Sequence, residues 1–443
     1  MRLICNCSNL KTKIATIPLW LIPFCFLFLQ TAAQNNDYAN PNVIRYEDYN
    51  YNPNIKTVLL EGATGQLTDA AIELNTNQQL LLRFDHLYAD VVDYSYTIIH
   101  CDANWQPSQI SESQYLQGFS TDKILRYQFA TTTLVPYVHY ELLFPNDIIK
   151  PIISGNYLLR VFKTDTPEIN VLTKRFIVFS QLAGIQANIH AGTFADTRFT
   201  HHEIDFELNT QQLNLLNPYN DLQVVLLQNG GWLQRIYGLK PRFVNGNKLD
   251  YNYDGEYCFA GGNEFRTFDT RSIRFLSERI KQITQADDKT FIVNLHNDIR
   301  TSSQRYAFVN DINGQYLIKH QEGRNSDVDA DYVWVNFKLK MPQEETEGNM
   351  YLYGALTNWR TDTTSLMNYN ADDMSYEKSL LLKQGYYNYQ YAYISSGSYP
   401  DVTVTEGSHY ETDNSYTLLI YYRNPNTRYD AIVGYKKLNS IKK

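Results

Sequence analysis

The chain has 443 residues, with 39 Lys and Arg against 47 Asp and Glu and a formal net charge of −8 at pH 7. That acidic balance argues against nucleic acid as a partner, because a phosphate backbone is bound through basic patches. With 36 Tyr and 21 Phe and no long helical periodicity, the composition favours strands.

The first 34 residues differ from the rest. Arg2, Lys11 and Lys13 precede an apolar run from Ile14 to Leu29, and Thr31, Ala32 and Ala33 supply small residues after it. This pattern predicts a secretory signal peptide over 1–34. Pro18 and Pro23 interrupt the run, and no other stretch approaches the roughly 18 apolar residues that a membrane helix needs. Cys25 is preceded by Pro23 and Phe24 rather than by the small residues of a lipid-attachment site. Without the signal peptide, 36 basic residues face 47 acidic ones. Cys101 and Cys258 are then the remaining cysteines, so the chain is no disulfide scaffold, and free thiols are the expectation.

About 410 remaining residues predict two to four domains at roughly 100 to 200 residues each. From Thr57 to Phe179 short β-rich runs recur, among them TVLLEG, QLLLRFD, DYSYTIIHCD, YVHYELLF, GNYLLRVF and VLTKRFIVF, separated by turn residues. Regular short strands with turn signals predict an all-β sandwich over 35–182. A second mainly-β block over 183–328 holds HEIDFEL, LQVVLLQN and TFIVNLHN, with one helix expected over Ser272 to Gln285. A third sandwich is expected over 329–443, from YVWVNFKL to YDAIVGY. The fold class is thus all-β, as tandem β-sandwich domains. In YYNYQYAY the tyrosines 387, 389, 391 and 393 alternate with Asn388, Gln390 and Ala392, which predicts one packed aromatic face and one wet face.

The candidate chemistry resolves mostly into structure. In DYSYTIIHCD, alternation sends His100 and Cys101 to opposite faces, so they cannot converge on one ion. The segment reads as a strand ending in an Asp102 turn, with Trp105 folded back as an anchor. His201, His202 and Glu203 are neighbours on a strand and diverge likewise. Asp327, Asp329 and Asp331 imitate the start of an EF-hand loop, but Tyr332 stands where its glycine belongs and Lys338 where its last carboxylate belongs. An acidic interdomain linker is the reading there. Gly261-Gly262-Asn263-Glu264-Phe265-Arg266 is a glycine turn with a buried or interfacial charged pair. There is no GxSxG elbow, no HExxH and no CxxC after the signal peptide, and no carboxylate pair stands out as a glycosidase acid and base. No catalytic residue, metal or cofactor is assigned.

Several of these stretches together resemble a known family. YTIIHCDANWQPS, Tyr115-Leu116-Gln117-Gly118-Phe119, YVHYELLFPND, SGNYLLRVF and VLTKRFIVF are similar to the N-terminal domain of the plug protein of the type IX secretion system. The likeness continues through HEIDFEL, VVLLQNGGW, LKPRFV, GGNEFRTFD and TEGSHYETDNSYTLLIYYRNPNTRYDAIVGY, in the family's order. The resemblance implies a non-enzymatic periplasmic protein. Its partner would be the large outer-membrane β-barrel translocon, whose periplasmic opening it would close, with no membrane span of its own. A fainter resemblance links YLYGALTNWRTDTTSLM and SYEKSLLLKQGYYNYQYAY to glycogen-binding modules of the early-set immunoglobulin type, through Gly354, Trp359, Gly385 and Tyr389.

Two functional readings follow. For a plug, the expected contacts are polar, aromatic-flanked loops suited to a releasable interface: Asp102, Asn104 and Trp105; Asn263, Glu264 and Arg266; Arg423, Arg428 and Tyr429. For a carbohydrate-binding accessory protein of the envelope, the stacking residues would be Trp359, Tyr387 and Tyr389. A hydrolase would rest only on scattered carboxylates and histidines.

Overall fold

Among the described residues three β-sandwiches, each with its own hydrophobic core, hold most of the strands. The computed structural model describes residues 40–441 apart from 89, 287–289 and 396, so the expected signal peptide lies outside the described residues. Pro41–Lys443 form one compact unit.

The first sandwich pairs Tyr94–Cys101 with Gly155–Lys163, and Gly155–Lys163 with Asn170–Phe179, in antiparallel register. Its second sheet runs in the order Ile55–Gly62, Leu80–Leu87, Tyr137–Phe144, Arg126–Phe129. Tyr96, Ile98, Leu82, Phe84, Tyr140 and Phe176 meet between the sheets and are buried.

The other two sandwiches do not divide at residue 328. Leu222–Gln228 pairs on one side with Gly231–Leu239 and on the other with Ser415–Tyr422, which in turn pairs with Ala431–Asn439. The C-terminal hairpin therefore completes the sandwich begun by Gly184–Ala191 and His201–Asn209, and Leu208, Val224, Leu418 and Ile420 share its core. The third sandwich is inserted between those halves. Its strands start at Arg266–Asp269 and end at Gly385–Ser395, with Phe268, Val335, Leu352 and Tyr389 in its core. The expected blocks 183–328 and 329–443 are corrected accordingly: strand periodicity shows which residues face a core and says nothing about which distant strand supplies the hydrogen bonds.

Two local expectations also change. The helix expected over Ser272 to Gln285 is absent, and Ile280–Ala286 is a strand paired with Thr290–Leu295. A register shift between Ile280 and Gln282 breaks the alternation there, and such a bulge leaves apolar residues at a spacing that imitates a helix. In Gly385–Ser395 both faces are covered. Tyr387, Tyr389 and Tyr391 are buried in the core, while Asn388 and Gln390 on the other face are buried as well. Asn388 Oδ1 accepts from the Ile312 N–H at 2.7 Å, and Gln390 Nε2 donates to the Asn263 carbonyl at 2.7 Å.

Candidate functional site

The three sandwiches meet at seams closed by buried polar groups, and most of the residues singled out in the sequence lie in those seams. The Asp102 loop is built by a turn: Asp102 Oδ1 accepts from the Asn104 and Gln106 N–H groups at 2.9 Å each. This folds Trp105 back in a left-handed backbone conformation, with a φ of 64°. The indole is buried, 5.0 Å edge-on from Trp232 of the second sandwich, and the Arg175 guanidinium lies 4.6 Å over it. Trp105 is thus an anchor inside the molecule, which corrects its assignment to an external interface.

His100 and Cys101 diverge as alternation requires. His100 Nδ1 lies 2.8 Å from Ser108 Oγ, and its ring packs edge-on against Tyr157 and Tyr429. Burial pushes His100 down to about 4, so the imidazole is neutral at pH 7. Cys101 sits on the other face against Trp105 and Leu158, and burial pushes its thiol up to about 12. Among the described residues Cys101 and Cys258 are free, Cys101 buried and Cys258 half-buried.

The tail from Arg423 to Asp430 closes on this loop. The Ala103 N–H donates to Asp430 Oδ2 at 3.0 Å, and Arg423 Nε donates to Asp430 Oδ1 at 2.6 Å. A side chain at Gly155 would place its Cβ 2.2 Å from His100 Nε2, so only glycine fits beneath that ring. Two of the three expected contact segments therefore come together, and their exposed members are Asn104, Arg423 and Arg428; Asp102 and Tyr429 are half-buried.

The third segment lies elsewhere, in the seam between the second and third sandwiches. Glu264 is buried and accepts from the Tyr306 hydroxyl at 2.5 Å and from the Asp413 N–H at 3.1 Å. Burial raises its carboxyl to about 7, with those two bonds opposing the shift. Arg266 forks onto Glu406 and Asp298 at 2.7 and 3.0 Å, and Asn263 Nδ2 donates to the Glu406 carbonyl at 3.0 Å. Gly261 packs so closely on His409 that a Cβ would lie 2.0 Å from its carbonyl oxygen. Glu264 and Arg266 are held by their own chain, so they are seam residues.

The seam between the first and third sandwiches was not anticipated. Asp85, fully buried, accepts from Lys383 Nζ and from the Tyr332 hydroxyl at 2.6 Å each, and His139 Nδ1 lies 2.6 Å from its other oxygen. Burial alone would raise the Asp85 carboxyl, but Lys383 and His139 outweigh it and hold the group below its usual value. Burial depresses the Lys383 ammonium; its charge is held by Asp85, by the Asp327 carbonyl at 2.6 Å and by the Tyr137 ring at 4.2 Å. Asp331 accepts from the Leu134 and Val135 N–H groups at 2.7 and 3.1 Å. The segment expected to be an acidic linker is therefore a docked element. The signal for Asp85 was present, a carboxylate inside the apolar run LLLRFDHL; nothing local marks Lys383 as its partner.

A cavity of about 470 Å³ lies where all three sandwiches meet, with Leu60 and Arg175, Leu227 and Trp232, and Asn313 and Trp359 among its walls. Trp359 is half-buried and wedged edge-on against Phe265 and Tyr353. With Tyr387 and Tyr389 in the core, the expected sugar-stacking platform of Trp359, Tyr387 and Tyr389 does not exist, because two of its rings have no solvent face.

A family model described as the type 9 secretion system plug protein 1st domain matches residues 55–180, which is the first sandwich. A crystal structure of a hypothetical protein from Parabacteroides merdae ATCC 43184 is 30% identical, with a TM-score of 0.87 over 90% of this chain and 100% of that one. The chain belongs to the type 9 secretion system plug protein family. That membership gives it a role in type IX secretion and a place in the cell envelope. The plug family is not an enzyme family. No curated protein matches the chain. Among the described residues no helix is long and apolar enough to cross a membrane.

Proposed function

We propose that the protein is a non-enzymatic periplasmic plug, delivered by a signal peptide over 1–34, that docks on the outer-membrane translocon barrel and closes its periplasmic opening between transport events. A plug needs a body that does not flex and a surface that binds and lets go. The observation that carries the reading is the buried cluster of Asp85, His139, Tyr332 and Lys383, which bolts the first sandwich to the third. Domains in one chain ordinarily move relative to one another unless their interface is extensive; here a buried charge is paired across the boundary, and separation would strand it.

The docking surface we favour is the edge strand Arg126–Phe129, which lies outermost in its sheet with all four residues exposed. Leu125, Tyr127 and Phe129 are 75%, 45% and 58% exposed on this edge. Exposed apolar groups on an edge strand, paired on one side alone, suit addition of a strand from a partner. Asn104, Arg423 and Arg428, exposed on the Asp102 loop and the 423–430 tail, offer separate polar contacts. The test is outer-membrane permeability to small solutes in a deletion strain. The wild-type protein is expected to restore the barrier and a Leu125→Asp, Phe129→Asp variant to fail while folding normally. Unchanged permeability on deletion contradicts the plug.

A further inference from the structure

Adjacent residues on a strand diverge, but residues opposite one another on neighbouring strands converge, and this places a cluster in the second sandwich that the linear sequence conceals. His190 on Gly184–Ala191 stands opposite Glu203 on His201–Asn209. Asp205, two residues on, shares the face of Glu203. One ligand atom from each of His190, Glu203 and Asp205 lies within 4.8 Å of the other two. The adjacent His202 takes no part, because it turns into the core, with Nδ1 2.7 Å from the Tyr416 hydroxyl.

Two independent features point to a cation at this cluster. First, Glu203 is 3% exposed, and its carboxylate accepts from the Thr193 and Gly255 N–H groups at 2.8 and 2.5 Å. Among the described residues it has no Lys or Arg ion pair, whereas buried carboxylates are ordinarily paired or bound to metal. Second, His190 Nδ1 lies 2.7 Å from the Ala191 carbonyl, which fixes the proton on Nδ1 and directs Nε2 at Asp205 Oδ2, 2.8 Å away. Nε2 meets Asp205 as a proton donor, and a metal ion that takes Nε2 as a ligand replaces that proton between the two groups. A backbone carbonyl holding the far nitrogen is also how a metal-binding imidazole is oriented.

We propose that His190 Nε2 and the carboxylates of Glu203 and Asp205 bind one divalent first-row transition cation of the zinc class. One imidazole with two carboxylates suits zinc, cobalt or manganese. His190 and Asp205 keep 34% and 24% of their side chains exposed, which gives an ion a path to the buried Glu203. The site is distinct from the seams, so it stands whether or not the plug reading holds.

Calorimetric titration of the purified protein with zinc chloride, paired with the visible spectrum of added cobalt(II), tests this. Saturable binding of one ion per chain is expected, lost in His190→Ala, weakened in Asp205→Asn and unchanged in His320→Ala, a control at a histidine outside the cluster that lies 3.3 Å from Glu322. Asp205→Asn preserves size and decides the matter if His190→Ala does not fold. Absence of zinc binding by the wild type, or binding that survives both substitutions at the cluster, overturns the site.

Discussion

The first sandwich is joined to its two neighbours by different chemistry. Toward the third sandwich the seam is ionic and dry, with Asp85 and Lys383 each about 1% exposed. Toward the second it is aromatic and apolar: Trp105 against Trp232, with Ile177, Val225, Leu419 and Ile432 beside them, and Asp430 capping the Ala103 N–H at the edge. An apolar seam loses stability in proportion to what is removed from it. An ionic seam fails abruptly, because losing one partner leaves an uncompensated charge in a place water cannot reach.

That contrast predicts a ranking. Lys383→Met strands Asp85 and is expected to cost about 3 to 5 kcal/mol in chemical denaturation. Adding Asp85→Leu should recover most of that loss, and simple additivity of the two losses contradicts a paired charge. Trp105→Ala on the aromatic seam should cost about 3 kcal/mol, toward the lower end for a buried large-to-small change, since Arg175 and Trp232 can move toward the gap. A melting temperature equal to the wild type means the ring is not anchored.

The ionic seam also predicts a pH response. The Asp85 carboxyl lies below its usual value in the folded state, so its contribution is present above the ordinary carboxylate range and is lost as pH falls through the depressed value. For His139 burial is the largest influence and acts downward, but the bonds to Asp85 and Glu141 and the Asp85 charge together outweigh it, and the net shift is upward. Its contribution is present below the ordinary histidine value and is lost as pH rises through the raised one. Stability should therefore fall on both sides of a weakly acidic maximum, and His139→Gln should flatten the alkaline side in a denaturation series. The smallest effect belongs to Lys437, whose pair with Asp69 has both side chains about 40% exposed. Lys437→Ala should cost under about 1 kcal/mol and less at high salt.

How much of this was legible in the sequence depends on the range of the interaction. Alternation in YSYTIIHC located a strand, sent His100 and Cys101 apart and marked the Asp102 turn, since each follows from neighbours along the chain. SYTLLIYY was equally legible as a strand, but nothing in it reveals that Leu222–Gln228, nearly 190 residues earlier by the Tyr416–Gln228 pairing, is its partner. The same blindness hid Lys383 from Asp85 and His190 from Glu203. The Gly261 to Arg266 turn was legible as holding a buried or interfacial charged pair, but nothing local showed that His409 and Glu406 cover it.

A plug must meet its translocon. Tagged protein expressed at native level should be captured from a mild detergent extract of the outer membrane. The plug reading predicts that a very large β-barrel is recovered in stoichiometric amount, and that recovery drops when Leu125 and Phe129 are both replaced by Asp. Recovery of the tagged protein alone, from an extract in which the intact barrel is demonstrably present, contradicts it.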